Sequence, residues 1–132
     1  MSIDLAQFHQ TFFEESFEGL DAMENGLLNL GAGQADNDAI NTIFRAAHSI
    51  KGGSATFGFT EVAKFTHVME TLLDEMRAGH IAPTPESIDT LLQSVDCLHE
   101  MLAAVQNGTA IDQPRIVDLH DQLEKFLHAA PS

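Results

Sequence analysis

Two polar pairs in the chain have the types and spacing for group-transfer chemistry. His48 and Lys51 are three residues apart, and Gly52-Gly53 follows directly. His67 and Glu70 repeat the same three-residue step further on. A neutral imidazole offers a nitrogen lone pair near pH 7. A carboxylate that accepts the N–H of Nδ1 fixes the tautomer, leaves Nε2 as the nucleophile and makes that nitrogen more basic. Glu70 is the right type for this role. Lys51 can balance charge on phosphoryl oxygens, as cations do in phosphoryl transfer. His67 can donate or accept within the same network. The first reading is therefore that His48 accepts a phosphoryl group.

Two other readings use the same residues. Two histidines and a glutamate suit zinc or iron. The helical di-iron signature, however, is Glu-x-x-His on two helices. Here the order is His67-x-x-Glu70, no Glu-x-x-His occurs, and Lys51 would repel a cation. No metal site is expected. The remaining reading is a non-phosphorylated helical scaffold for protein partners, in which these are ordinary rim residues. It leaves the double glycine unexplained. Each glycine inside a helix costs about 1 kcal/mol relative to Ala.

The elements that must hold these residues read as helices throughout. Leu5, Phe8, Phe12, Ser16, Leu20, Met23, Leu27 and Leu30 form one stripe at three- and four-residue steps, with Gly31 as its stop. Asp36 or Asp38 caps a second helix bearing Ile40, Ile43, Phe44, Ala47, Ile50 and Phe57, which ends at Gly58. Thr60 caps a third, with Val62, Phe65, Met69, Leu72 and Met76, ending at Gly79. Thr84-Pro85 opens a fourth, which runs to Gly108. Asp112 and Pro114 open a fifth, with Ile116, Leu119, Leu123, Phe126 and Leu127.

The short connections make neighbours antiparallel. The predicted fold is all-α: an up-down antiparallel four-helix bundle over 1–108. A C-terminal fifth helix and the start of a linker occupy 109–132. The stripe from Ile43 to Phe57 crosses the glycines unbroken, so the second helix should be continuous. His48 falls about 120° from that stripe, and Gly52 about 40° from His48. A rim histidine with bare backbone on its C-terminal side lets another protein's active site come close.

Composition excludes several classes. The 132 residues include 20 Asp+Glu and 6 Lys+Arg, for a formal net charge of -14. Phosphate-backbone binding needs Lys and Arg, so nucleic acid is not an expected partner. The same charge argues against anionic lipid. At 44% hydrophobic the chain is too apolar for an acidic tail. No apolar run spans a membrane, and the N-terminus has no signal pattern, so a cytoplasmic location is expected. Cys97 stands alone and reads as a small buried hydrophobe. His9, His80, His99, His120 and His128 read as surface or boundary residues.

The segment Ile43-Phe44-Arg45-Ala46-Ala47-His48-Ser49-Ile50-Lys51-Gly52-Gly53-Ser54-Ala55-Thr56-Phe57-Gly58-Phe59 closely resembles the phosphorylation-site helix of one family. That family is the histidine phosphotransfer (HPt) domain at the N-terminus of CheA chemotaxis kinases. The likeness continues through His67-Val68-Met69-Glu70 and, more loosely, to about residue 105. The resemblance implies that His48 is the phosphoacceptor and Glu70 its hydrogen-bond partner, with Lys51 and His67 completing the network. Arg45, Ser49, Gly52 and Gly53 would form the access surface. It also implies a monomeric domain that is not an enzyme by itself. A CheA-type kinase domain, part of a parent transferase, would phosphorylate His48. A response regulator receiver of the CheY or CheB kind would take the group onward. ATP and Mg²⁺ would be bound by those partners, with no cofactor in this domain.

Overall fold

Glycine ends the helices. Gly33, Gly58, Gly79 and Gly108 all have positive φ in the computed structural model, which describes residues 5–33 and 37–128. Five helices lie among these residues: α1 (Leu5–Gly31), α2 (Asn37–Thr56), α3 (Thr60–Arg77), α4 (Pro85–Asn107) and α5 (Gln113–His128). α1 packs on α2 and α4, and α3 packs on the same two helices. α5 packs on α3 and α4. The short connections make successive helices antiparallel, so the architecture is the expected up-down bundle with a fifth helix over one face.

The core is continuous from end to end. Leu20, Met23 and Leu27 of α1 meet Ile43 and Ala47 of α2, Phe65, Met69 and Leu72 of α3, and Leu91, Leu98 and Met101 of α4, all buried. Ile116, Leu119 and Leu123 attach α5 to it. Burying a side chain of this size contributes about 1.5–3 kcal/mol, so the apolar stripes dominate local propensity. That is how α2 runs through Gly52-Gly53 without a break.

Glycine also decides how α1 meets α2. The side chain of Ile43 occupies the space a Cβ on Gly26 would need, 2.7 Å from that position. The ring of Phe12 in turn occupies the Cβ position of Gly53. Each helix receives one apolar side chain of the other in a glycine gap.

Several local expectations need correction. Gly31 is still helical, and the left-handed residue is Gly33. The Ala32 and Gly33 N–H groups return to the Leu28 and Leu30 carbonyls, which extends the last turn. Thr60 is the first residue of α3, not its cap; Phe59 precedes it and makes no capping bond. The turn is held instead by the Phe59 N–H, which donates to the Ser54 carbonyl at 2.8 Å. Asp36 and the side chain of Leu5 lie outside the described residues, and Asp38 lies in the first turn of α2. Phe8 is 55% exposed, while Phe13 is buried. At this end Phe12, Phe13, Phe57 and Phe59 cluster, with His9 edge-on to Phe57 at 4.5 Å, and Phe8 is left outside.

Thr84 caps α4 as expected. Its hydroxyl accepts from the Ser87 N–H, and Ser87 answers through the Thr84 N–H. At α5 the Asp112 carboxylate accepts from the Arg115 N–H at 3.2 Å.

Candidate functional site

His48 and Lys51 lie on the face of α2 turned toward α3, and Glu70 of α3 bridges them. The imidazole Nδ1 is 2.8 Å from Glu70 Oε2. The Lys51 ammonium donates to Glu70 Oε1, also at 2.8 Å. The three side chains differ in exposure. His48 is 63% exposed, Lys51 26% and Glu70 13%. The carboxylate is thus set in the α2–α3 seam and the imidazole projects from it into solvent.

The charge state of Glu70 settles the direction of its bond to His48. Burial pushes the carboxyl pKa up, but hydrogen bonds from Lys51 and His48 and their charges outweigh that. The net effect is a pKa below the ordinary carboxylate value. An ionised carboxylate can only accept. The Nδ1–H therefore donates a hydrogen bond to Glu70, and in the neutral ring Nε2 carries the free lone pair.

His67 does not join this arrangement. It is exposed, and its side chain makes no hydrogen bond or ion pair among the described residues. Three residues before Glu70 on α3, it sits about 60° around the helix from that glutamate. The place in the His48 network expected of His67 is therefore not taken up. Arg45 and Ser49 are exposed beside His48 on α2.

The two glycines separate in role. A Cβ on Gly52 would meet nothing within 4 Å, so the surface there is open backbone. Gly53 faces the ring of Phe12, so its lack of a side chain serves helix packing, not the access surface expected of it.

Two residues were not expected at the site. The Phe44 ring, one turn before His48, lies at 18° to the imidazole plane with centroids 6.1 Å apart. Over Phe44 stands the Arg77 guanidinium, 3.9 Å from the ring centroid. Arg77 is held by Asp74 at 2.6 Å and by Asn41 at 3.3 Å. The spacing Phe44-x-x-x-His48 was readable as a same-face pair. Its match with Arg77 of α3 was not, because that depends on how the two helices are turned.

Among the described residues, no three His, Cys, Asp or Glu side chains come together as metal ligands. No described helix is long and apolar enough to cross a membrane. Cys97 is buried, and burial pushes its thiol pKa up to about 11.

Comparison with known proteins agrees with this geometry. The family model for the Hpt domain matches residues 7–108. The chain is 46% identical over 112 residues to the chemotaxis protein CheA of Salmonella typhimurium, a match covering 85% of this chain and 17% of that protein. With the chemotaxis protein CheA of Rhizobium meliloti it shares 37% identity over 122 residues, covering 92% and 16%. The chain thus spans about one sixth of the length of these curated relatives. Among solved structures, the histidine phosphotransfer domain of CheA superposes with a TM-score of 0.80 at 31% identity, covering 96% of this chain and 93% of that one. The phosphorylated P1 domain of CheA3 from R. sphaeroides, solved in complex with CheY6, superposes with a TM-score of 0.86 at 25% identity, covering 95% and 98%. With its bundle, its exposed histidine on α2 and the glutamate behind it, the chain belongs to the Hpt domain family, as a histidine phosphotransfer domain of the CheA type.

Proposed function

We propose that the chain is the phosphoacceptor and phosphocarrier of a chemotaxis-type two-component system, with His48 as the modified residue. The observation that carries this reading is the exposed imidazole whose Nδ1 is held by an ionised, part-buried carboxylate. In the first step the Nε2 lone pair forms a bond to the γ-phosphorus of ATP, and the bond from phosphorus to the bridging oxygen of ADP breaks. Positive charge that develops on the ring is offset by Glu70 through the Nδ1–H bond. Lys51 fixes the carboxylate from its other oxygen and places a cation within one turn of the reacting nitrogen. In the second step an aspartate oxygen attacks phosphorus, the N–P bond breaks and its electron pair returns to Nε2. The product is an acyl phosphate on the partner and a neutral His48.

This chain acts as substrate and carrier, not as an enzyme by itself. A CheA-type kinase domain holding ATP and Mg²⁺ supplies the group. A CheY- or CheB-like receiver, with its own acidic pocket and Mg²⁺, takes it. The 17% coverage of the Salmonella relative fits a module of a larger kinase. A cytoplasmic location, a monomeric domain and a division into 1–108 and 109–132 belong to the same proposal. Arg45, Ser49 and Gly52, exposed around His48, form the surface that partners approach.

The test is phosphorylation by a CheA-type kinase core with ATP and Mg²⁺. Acid-labile, base-stable label is expected on the chain and absent from a folded His48→Gln variant. Persistence of the label in that variant rejects the assignment. Absence of label on the unmodified chain, with partner binding indifferent to His48, would favour the scaffold reading.

A further inference from the structure

The imidazole of His48 is mostly in solvent, yet a nucleophile must meet phosphorus along one line. A single hydrogen bond from Nδ1 to Glu70 leaves the ring free to swing about that bond, and Lys51 binds Glu70, not His48. The Phe44 ring supplies a second restraint. It lies nearly parallel to the imidazole, at a centroid separation within the range of offset-stacked rings. The Phe44 ring is partly buried against the core, which limits its own freedom. Phe44 is held by the guanidinium of Arg77 over its face, and Arg77 is pinned from α3 by Asp74 and from α2 by Asn41. The order of support runs Asp74 and Asn41 to Arg77, then Phe44, then His48.

The arrangement reaches across the same helix pair as the Glu70 bridge, one turn toward the N-terminus of α2. Arg77 is seven residues after Glu70, two turns along α3. One α3 face therefore presents both the carboxylate that fixes Nδ1 and the cation that fixes the ring beside His48. We propose that Phe44 is a positioning residue for His48, with Arg77 as its support. Together they set the plane of the imidazole and hence the line along which Nε2 meets the phosphoryl group. This rests on the reading of His48 as phosphoacceptor and adds to it.

The test uses the full chain with Phe44→Leu, which keeps apolar bulk but loses the ring plane. Arg77→Gln removes the cation without touching Phe44, and Arg77→Lys keeps charge but loses the planar group. Thermal unfolding by circular dichroism confirms that each variant is folded. The first readout needs no phosphorylation: ¹³C relaxation of the His48 ring carbons in the labelled, unmodified protein. Both Phe44→Leu and Arg77→Gln are expected to increase ring motion, with Arg77→Lys between them and the wild type. The second readout is labelling by the kinase core with ATP and Mg²⁺. Here kcat is expected to fall about two- to tenfold, the size one aromatic contact contributes, with KM for the chain nearly unchanged. A rise in KM with unchanged kcat would make Phe44 a partner contact and overturn the proposal. Unchanged ring motion in both variants would also overturn it. If the wild type takes no label, the phosphoacceptor reading falls, and ring motion alone still decides whether Phe44 and Arg77 position His48.

Discussion

Glu70 has two partners, and losing it should be felt in both chemistry and stability. Glu70→Ala is expected to slow phosphorylation of His48 without unfolding the bundle; an unchanged rate would remove Glu70 from the mechanism. The stability effect has a defined sign. The folded carboxyl has a pKa below its ordinary value of 4.5, so folding favours its ionised form. The stabilisation is complete above that ordinary value and disappears as pH falls through the lower, folded one. The Tm difference between wild type and Glu70→Gln should therefore be largest near neutral pH and shrink in acid. A difference independent of pH would mean that the Lys51 and His48 bonds do not favour the ionised carboxylate. Residue types and spacing singled out His48 with Lys51 on one helix and Glu70 on the next, and the resemblance pointed to Glu70 as the partner of His48. They were not enough for His67, whose three-residue offset from Glu70 looks equivalent on paper but turns it into solvent.

The helices were legible largely through their ends and stripes. Thr84-Pro85 and Gly108 bound α4 because capping chemistry is local. The start of α3 was not legible, because Phe59 is placed by rings of α1 and by Phe57 just beyond α2, which no local pattern reports. The glycine pair in α2 provides a test between neighbours. Gly52→Ala has open space around it and should raise helix stability by up to about 1 kcal/mol. It should also lower the rate of phosphotransfer by obstructing the approach to His48. Gly53→Ala meets the ring of Phe12 and should destabilise by about 1–3 kcal/mol. Denaturant unfolding and labelling rates of the two variants separate these effects; equal stabilities would reject the packing role of Gly53. α5 offers a second test. Arg115 donates to Asp96 at 3.0 Å and to Glu100, which links α5 to α4 over Cys97. A buried thiol with its pKa raised to about 11 should react very slowly with alkylating reagents in the native state. Arg115→Gln should speed that reaction by loosening α5, as mass spectrometry over time would show. Unchanged kinetics would mean that Ile116, Leu119 and Leu123 hold the helix without it.

The molecule as a whole carries a charge of -14, and its few cations are unevenly spread. α1 contains Glu14, Glu15, Glu18, Asp21 and Glu24 and no Lys or Arg. Arg45, Lys51 and Arg77 all lie on α2 or α3 near His48. Self-repulsion on this scale opposes compaction and is screened over about 10 Å at 0.1 M salt. Added sodium chloride should therefore raise Tm at neutral pH. A flat or falling Tm would show that local ion pairs outweigh the net charge. Composition alone indicated this imbalance, and the bundle was readable because five stripes with short connections allow few other packings. Where the fifth helix would pack was not readable, since its stripe says how much of it is buried but not that it lies against α3 and α4.

The exchange of apolar side chains between α1 and α2 has a consequence for aim. Ile43 enters the gap at Gly26, and Gly53 receives Phe12. Ile43 and Gly53 each lie five residues from His48, on either side. At 1.5 Å per residue the two contacts sit about 7.5 Å above and below the histidine along the axis. A cylinder keyed at two such points cannot roll. Turning α2 far enough to redirect His48 would drive Ile43 out of one notch and a residue with a Cβ into the other. The compass bearing of the imidazole is thus indexed by two missing methyl groups, neither of them at the site.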